Sequence, residues 1–232
     1  MSGVIWAVIP VKETSAAKQR LGDAVPAHLR RAFVLAMLED VLTAVAGSHG
    51  LAGVVVVSVD EAAGECARRF GARLLTEDAR TGHTGAVAAA ARTLAAEGAT
   101  GMLQVPGDIP LATSNEISTV LAQHRAPPSF TIVPSHDDFG SNLVLVSPPT
   151  AVPLTFGDDS FFPHLRTAKN HGIEPQIIRL PGIGRDIDHA EDLRTFVRLH
   201  SNTRTQAFLD RNGLTNPTGS AALFVQKPSG RR

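Results

Sequence analysis

From Gly101 the chain reads Gly101-Met102-Leu103-Gln104-Val105-Pro106-Gly107-Asp108-Ile109-Pro110-Leu111. An apolar run stops at a turn built from two prolines and a glycine, and an aspartate stands in that turn. A merely solvated aspartate does not require so tightly shaped a turn. The pattern places a carboxylate at the carboxyl end of a strand, the edge at which open α/β sheets bind ligands. A second acidic stretch, Asp186-Ile187-Asp188, runs into His189-Ala190-Glu191-Asp192-Leu193. Its two aspartates are two apart in a strand-like run and so share a face. Asp188 also suits the N-cap of the helix that begins near Ala190.

Outward from this stretch, strands alternate with helices. Val4 to Ile9 reads as a buried strand, and Val54 to Val59 as a β-branched strand covered on both faces. Arg73 to Leu75, Ser129 to Pro134, Asn142 to Ser147 and Gln176 to Leu180 complete the set of expected strands. Helical patterns run from Pro26 to Ala46, with Leu29, Phe33, Met37 and Val41 at four-residue spacing, and over Glu61 to Phe70 and Thr84 to Ala96. Further patterns cover Ser114 to His124 with Ser114 as N-cap, Ser160 to His171, and His189 to His200. This alternation predicts an α/β fold with a mostly parallel sheet between helical layers, partly mixed where Ser129 to Ser147 breaks the order. Residues 1–200 are expected to form the domain. Residues 201–232, polar and turn-rich, are expected to be a dispensable tail, partly disordered at its end.

Composition excludes several classes. The 232 residues fit one α/β domain, and 43% apolar content is too high for a disordered chain. Twenty-two basic and 22 acidic side chains cancel, which argues against bulk attraction to nucleic acid or anionic membrane. The single Cys66 cannot form an internal disulfide. The most apolar helical stretch, Phe33 to Ala46, carries Glu39 and Asp40 and does not read as a membrane span. No secretory signal is evident, so a soluble cytoplasmic protein is the expectation.

Four segments can carry chemistry besides the acidic stretches. The loop from residue 10 to 26 holds Lys12, Lys18 and Arg20, cations that suit a polyphosphate, although taken alone it reads more readily as a solvated basic loop. Gly82-His83-Thr84-Gly85 opens a helix, and Gly85 allows a nucleotide to approach closely. Pro134 to Asn142 is a polar turn offering Gly140, Ser141 and Asn142, with a plain hairpin loop as the competing reading. Phe156-Gly157-Asp158-Asp159-Ser160-Phe161-Phe162-Pro163-His164 puts Gly157 and Ser160 where a helix starts, a place for an anion or an ordinary serine cap. No histidine has zinc-ligand spacing with a cysteine or second histidine, and no Walker or Gly-x-Gly-x-x-Gly motif occurs. If the acidic stretches converge, their carboxylates suit Mg²⁺ against a polyphosphate.

The order of these motifs resembles the CofC family over residues 4–199: Ile9-Pro10-Val11-Lys12, Lys18-Gln19-Arg20-Leu21, Gly107-Asp108-Ile109-Pro110-Leu111, His136 to Asn142, Phe156 to His164 and Asp186 to Leu193. The resemblance implies a three-layer Rossmann-like nucleotidyltransferase fold and an early step of coenzyme F-420 assembly. The reaction it implies is transfer of GMP from GTP to phosphoenolpyruvate, 3-phospho-D-glycerate or 2-phospho-L-lactate. Carried over by position, Asp108 and Asp188 look like the catalytic metal pair for Mg²⁺ or Mn²⁺, and Lys12 and Lys18 like catalytic groups of the triphosphate loop. Arg20, Gly82 and Gly85 join Lys12 and Lys18 at the nucleotide; Ser141, Asn142, Gly157 and Ser160 fall at the acceptor acid. Two places depart from the family pattern: Ser141 stands in its usual Gly-Thr-Asn, and Gly82-His83-Thr84 in its usual Gly-Leu-Asn. Neither nucleic acid nor membrane is an expected partner, and a homodimer is among the open assembly states.

Overall fold

The computed structural model describes residues 4–14, 18–76, 78–157 and 159–215. The strands are β1 (Ile5–Pro10), β2 (Gly53–Val57), β3 (Arg73–Leu75), β4 (Gly101–Gln104), β5 (Ser129–Pro134), β6 (Ser141–Ser147) and β7 (Gln176–Ile177). They form a seven-stranded sheet in the order β3-β2-β1-β4-β6-β5-β7. β6 is antiparallel to β4 and to β5, while every other pairing is parallel, so it runs against the remaining strands.

Seven α-helices accompany the sheet among the described residues: α1 (Ala27–Ala46), α2 (Glu61–Arg69), α3 (Gly82–Ala96), α4 (Ser114–Gln123), α5 (Phe161–Asn170), α6 (Ala190–Arg198) and α7 (Arg204–Arg211). The β-branched runs fill both sides of the sheet as parallel strands require. Val56, Ile9, Leu103 and Leu145 pack with α1, α2 and α4 on one face. Val8, Val55, Met102 and Val144 pack with α3 and α5 on the other. Outside α1 a smaller cluster joins Phe33 and Met37 to Ile187, Phe196, Phe208 and Leu209.

Several expectations need correction. The N-cap of α4 is Thr113, not Ser114: its hydroxyl accepts from Glu116 N–H, and the Glu116 carboxylate accepts from Thr113 N–H, a reciprocal capping box. β7 stops at Ile177, so Asp186 and Asp188 lie in an irregular extended segment and not in a strand. Asp188 does not cap α6; the Asp192 carboxylate accepts from the backbone N–H of His189 and of Asp188, which leaves the Asp188 side chain for other work.

The domain also does not end at residue 200. α7 closes on α1, with Phe208 8% exposed and Leu209 wholly buried. The buried Asp40 carboxylate receives the start of α7: it accepts from Arg204 N–H at 2.8 Å, Thr205 N–H at 2.9 Å and the Thr205 hydroxyl at 2.6 Å. Burial pushes the Asp40 carboxyl upward, and these bonds offset part of the shift. Truncating side chains such as Phe208 and Leu209 costs about 2–5 kcal/mol each, so this segment is not a dispensable tail. The part of the expected tail from residue 216 onward lies outside the described residues. Among the described residues no helix is long and apolar enough to cross a membrane.

Candidate active site

The reversed direction of β6 builds the site. Its amino end, Ser141, falls at the edge of the sheet where the parallel strands finish: Gln104 of β4 pairs with Val144, and Pro134 of β5 with Ser141. Successive residues of a strand point to opposite faces. Ser141 therefore turns toward α5, and Asn142 toward the segment 183–186.

The two acidic stretches meet at that edge. Ile187 N–H donates to the Asp108 carbonyl at 3.0 Å, docking one stretch on the other. Lys18 Nζ then donates to Asp108 Oδ2 at 2.5 Å and also to Asp188 Oδ1. Lys18 takes a left-handed φ of 57°, a conformation costing a lysine about 1–2 kcal/mol, which the two ionic contacts offset. Burial alone would lower the Lys18 ammonium, but the two carboxylates overrule it and hold it above its usual range. Burial would likewise raise the Asp188 carboxyl; Lys18, and behind it His189 and Arg20, keep it below. Asp186 stands beside them with its pKa pushed up to about 6, by burial first and then by Asp108 and Asp188. Asn142 Nδ2 donates to Asp186 Oδ1 and to the Ile183 carbonyl, both at 3.0 Å. That amide thus orients Asp186 from behind.

Lys12 is exposed at the end of β1, and Arg20 lies near enough to Asp188 to influence its charge. The loop between them is pinned by a residue that the sequence reading did not single out. Asp60 Oδ2 accepts from the Thr14 hydroxyl at 2.6 Å and from Thr14 N–H at 2.9 Å. Burial would raise the Asp60 carboxyl, and these bonds, with the one from Ala63 N–H, hold it below the ordinary carboxylate range. A polar residue capping α2 carried the only sequence signal, and capping is a local role that gave no hint of the contact 46 residues away.

Ser160 precedes α5 but makes no side-chain cap. Its hydroxyl accepts from Ser141 N–H at 3.1 Å and donates to Ser141 Oγ at 3.1 Å. His164, 1% exposed, completes the group. Its Nε2 accepts from Thr155 N–H at 3.0 Å, so its proton sits on Nδ1 and points at Ser141 Oγ, 2.8 Å away. Burial, with a smaller push from His83, drops the His164 pKa to about 4, so the ring is neutral at pH 7. The Phe161 N–H at the start of α5 is held by the Phe139 carbonyl at 2.9 Å, so that amide does not face a ligand. A Cβ on Gly157 would meet nothing within 4 Å; protein packing does not explain its missing side chain, whereas close approach of a ligand would.

Gly82 and Lys12 line one cavity at the ends of β1 and β2, with Pro10, Val11, Val57, Ala79, His83 and Ala86. Gly85 does not line it: a Cβ there would collide with the Thr81 side chain, so this glycine answers to packing. His83 is pushed down to about 4, mainly by burial, and its Nε2 lies 3.3 Å from Gln104 Nε2. Gln104 is wholly buried and its Oε1 has no partner. The site thus brings together Asp108, Asp188 and Lys18 in one cluster, Ser141 and Ser160 in a second, and Lys12 and Gly82 in a third.

A family described as Guanylyl transferase CofC like matches residues 5–225. A phosphoenolpyruvate guanylyltransferase of Roseiflexus sp. (strain RS-1) is 36% identical over 214 residues, covering 90% of this chain and 94% of the relative. A 3-phospho-D-glycerate guanylyltransferase of Colwellia psychrerythraea is 32% identical, covering 84% and 91%. A 2-phospho-L-lactate guanylyltransferase of Methanothermobacter thermautotrophicus is 30% identical, covering 95% and 97%. Among solved structures, 4-diphosphocytidyl-2C-methyl-D-erythritol synthase superposes with a TM-score of 0.59 at 15% identity, over 86% of this chain and 98% of that one. That likeness speaks for the nucleotidyltransferase fold alone.

Proposed function

The chain belongs to the guanylyl transferase CofC-like family, and from that premise we propose that it transfers GMP from GTP to the phosphate of a small phosphorylated acid, releasing pyrophosphate. The observation that carries this reading is the docking of Ile187 on the Asp108 carbonyl, which brings Asp108 and Asp188 to one lysine at the binding edge of the sheet. Phosphoenolpyruvate is the proposed acceptor, because the relative at 36% identity bears that name, with 3-phospho-D-glycerate next. The proposed place is an early step of coenzyme F-420 assembly in the cytoplasm.

The chemistry follows from charge. An oxygen of the acceptor phosphate attacks the α-phosphorus of GTP; the new P–O bond forms as the bond to the bridging oxygen of the β-phosphate breaks, and pyrophosphate leaves with that electron pair. The acceptor phosphate is ionised at neutral pH, so no general base is required. The site supports this for His164, whose one ring lone pair, on Nε2, is already held by Thr155 N–H. Asp108 and Asp188 are hard, partly solvent-open oxygen donors on adjacent segments, a set that fits Mg²⁺ or Mn²⁺ completed by phosphate oxygens. Such an ion supplies neutralisation of the crowded phosphates. Lys12, on the rim of the cavity, and Lys18 provide the cationic side for the triphosphate. Ser141, Ser160 and Gly157 receive the acid.

The test is pyrophosphate release from GTP with each of the three acids, with ATP and CTP as controls. Release with GTP and one or more of the acids, lost on exhaustive EDTA treatment and restored by Mg²⁺ or Mn²⁺, is the expected result. Binding of GTP without release for any acid would replace the transferase by a nucleotide-binding protein.

A further inference from the structure

The segment 153–157 carries Gly157 toward Ser160 and has no regular secondary structure. Such a segment keeps its place only through what holds its backbone. Two consecutive backbone N–H groups in it are each held by a side chain from a different helix. Thr155 N–H donates to His164 Nε2 of α5 at 3.0 Å. Phe156 N–H donates to the Thr84 hydroxyl of α3 at 2.9 Å, and that hydroxyl faces the Phe156 carbonyl at 3.5 Å. The ring of Phe156 is gripped the same way. It lies 4.4 Å from the His83 ring, tilted 35°, and meets His164 edge-on at 5.1 Å. His83 is itself steadied by the buried Gln104 amide, 3.3 Å away.

These contacts join two regions that are 72 residues apart in sequence. The first turn of α3 borders the cavity with Lys12, yet the Thr84 hydroxyl is directed at Phe156 and bonds its backbone. We propose that Thr84 and His83 are positioning residues for the acid acceptor: they seat the segment that carries Gly157, and with it the Ser141 and Ser160 hydroxyls, at a fixed place beside the nucleotide cavity. The proposal rests on the transferase reading above. It gives the first turn of α3 a role at the other substrate from the one its cavity-lining position suggests. Misplacing a reacting group by about 1 Å can cost 10²-fold in rate, so such a seat is felt at the acceptor and only weakly at the nucleotide.

The experiment is a pair of saturation curves, one in the acid and one in GTP, for Thr84→Val, Thr84→Ser, His83→Ala and Ser160→Ala, with melting temperature recorded for each. Thr84→Val keeps the shape and removes the hydroxyl. The expected result is a rise of about fivefold in KM for the acid, the size of one lost hydrogen bond, with KM for GTP unchanged within about twofold. Thr84→Ser should restore the acid curve, and His83→Ala should move it in the same direction as Thr84→Val. If Thr84→Val shifts the GTP curve, shifts both curves equally or shifts neither, the proposal is overturned. If Thr84→Val proves too unstable to assay, Thr84→Ala against Ser160→Ala decides by the same criterion. A Ser160→Ala enzyme that leaves the acid curve unmoved overturns the underlying assignment of the acid pocket. A normal Ser160→Ala response with no response at residues 83 and 84 overturns this inference alone.

Discussion

At Asp108, Asp188 and Lys18 three charged groups meet within hydrogen-bond reach and stay partly open, the Asp188 side chain being 44% exposed. At Ser141, Ser160 and His164, on the same edge of the sheet, the groups are neutral and all but sealed, none more than 8% exposed. The first cluster holds its geometry by Coulomb attraction, so substrate ions can compete for each of its members. The second holds its geometry by hydrogen bonds whose donors and acceptors are fixed by one tautomer, so a ligand there would be oriented without a change in the local charge. Within that second cluster Ser141 Oγ accepts from both Ser160 and His164, and its own proton is left for an incoming oxygen. A reaction between two anions needs both kinds of region, one for neutralisation and one for alignment.

The contrast is broken most severely in the charged cluster. Asp108→Asn and Asp188→Asn keep shape and remove charge, and each should lower turnover at saturating Mg²⁺ by at least about 2–4 kcal/mol of barrier, some 10²-fold or more. Near-normal turnover in a steady-state assay of either variant would remove that carboxylate from the machinery. Lys18→Met should be the next most harmful. It deletes two charge-assisted hydrogen bonds, each worth about 1.5–3 kcal/mol, and leaves two carboxylates facing one another. Its expected signature is at least a tenfold fall in kcat/KM for GTP, read against an unchanged circular dichroism spectrum.

The neutral cluster should fail in a different variable. His164 of this cluster, and His83 and His124 outside it, each have a pKa pushed down to about 4 by burial, against an ordinary value near 6.5. The unfolded chain therefore binds more protons than the native one between those limits. The stability these histidines contribute is full above pH 6.5 and is lost progressively as pH falls toward 4, on the order of 1–3 kcal/mol per group. Urea denaturation at steps across that window should show the loss, and His164→Gln should flatten the slope; an unchanged slope would mean that His164 is not held neutral. The smallest effect is that of Ser160→Ala, about 1 kcal/mol in acid binding with the GTP curve still. A larger effect on GTP than on the acid would erase the division of labour between the two regions.

The strands β1 to β6 and the acidic turn at Asp108 were legible because apolar runs bounded by Gly and Pro are local signals. Lys18 and Asp188 were legible as residue types, but not their shared contact, which joins positions 170 apart. The capping box of α4 was legible in Thr113-Ser114-Asn115-Glu116, and Ser114 was the wrong choice within it. Gln104 offered a signal of another kind, a lone polar side chain inside an apolar strand, and its meaning lay in a histidine on a different element. α7 escaped because its buried Phe208 and Leu209 are adjacent, which leaves too few turns for a periodicity to show. Asn142 is legible as a polar group at the turn, but not the bonds of its Nδ2 to Asp186 and Ile183, a partnership 41 to 44 residues long that no spacing rule reports.

The clasp between Asp40 and the start of α7 has a consequence for synthesis. α1 is complete by Ala46, but the carboxylate on its buried side waits for Arg204 and Thr205, 164 and 165 residues later. β6 likewise enters between β4 and β5 only after both are made. A chain emerging from the ribosome therefore holds an uncovered apolar flank on its first helix, around Phe33 and Met37, until nearly the last described helix has been extruded. Closure of this flank waits for α7, and a nascent chain halted before Leu209 should be a client for a hydrophobic-binding chaperone, whereas one released just beyond it should not.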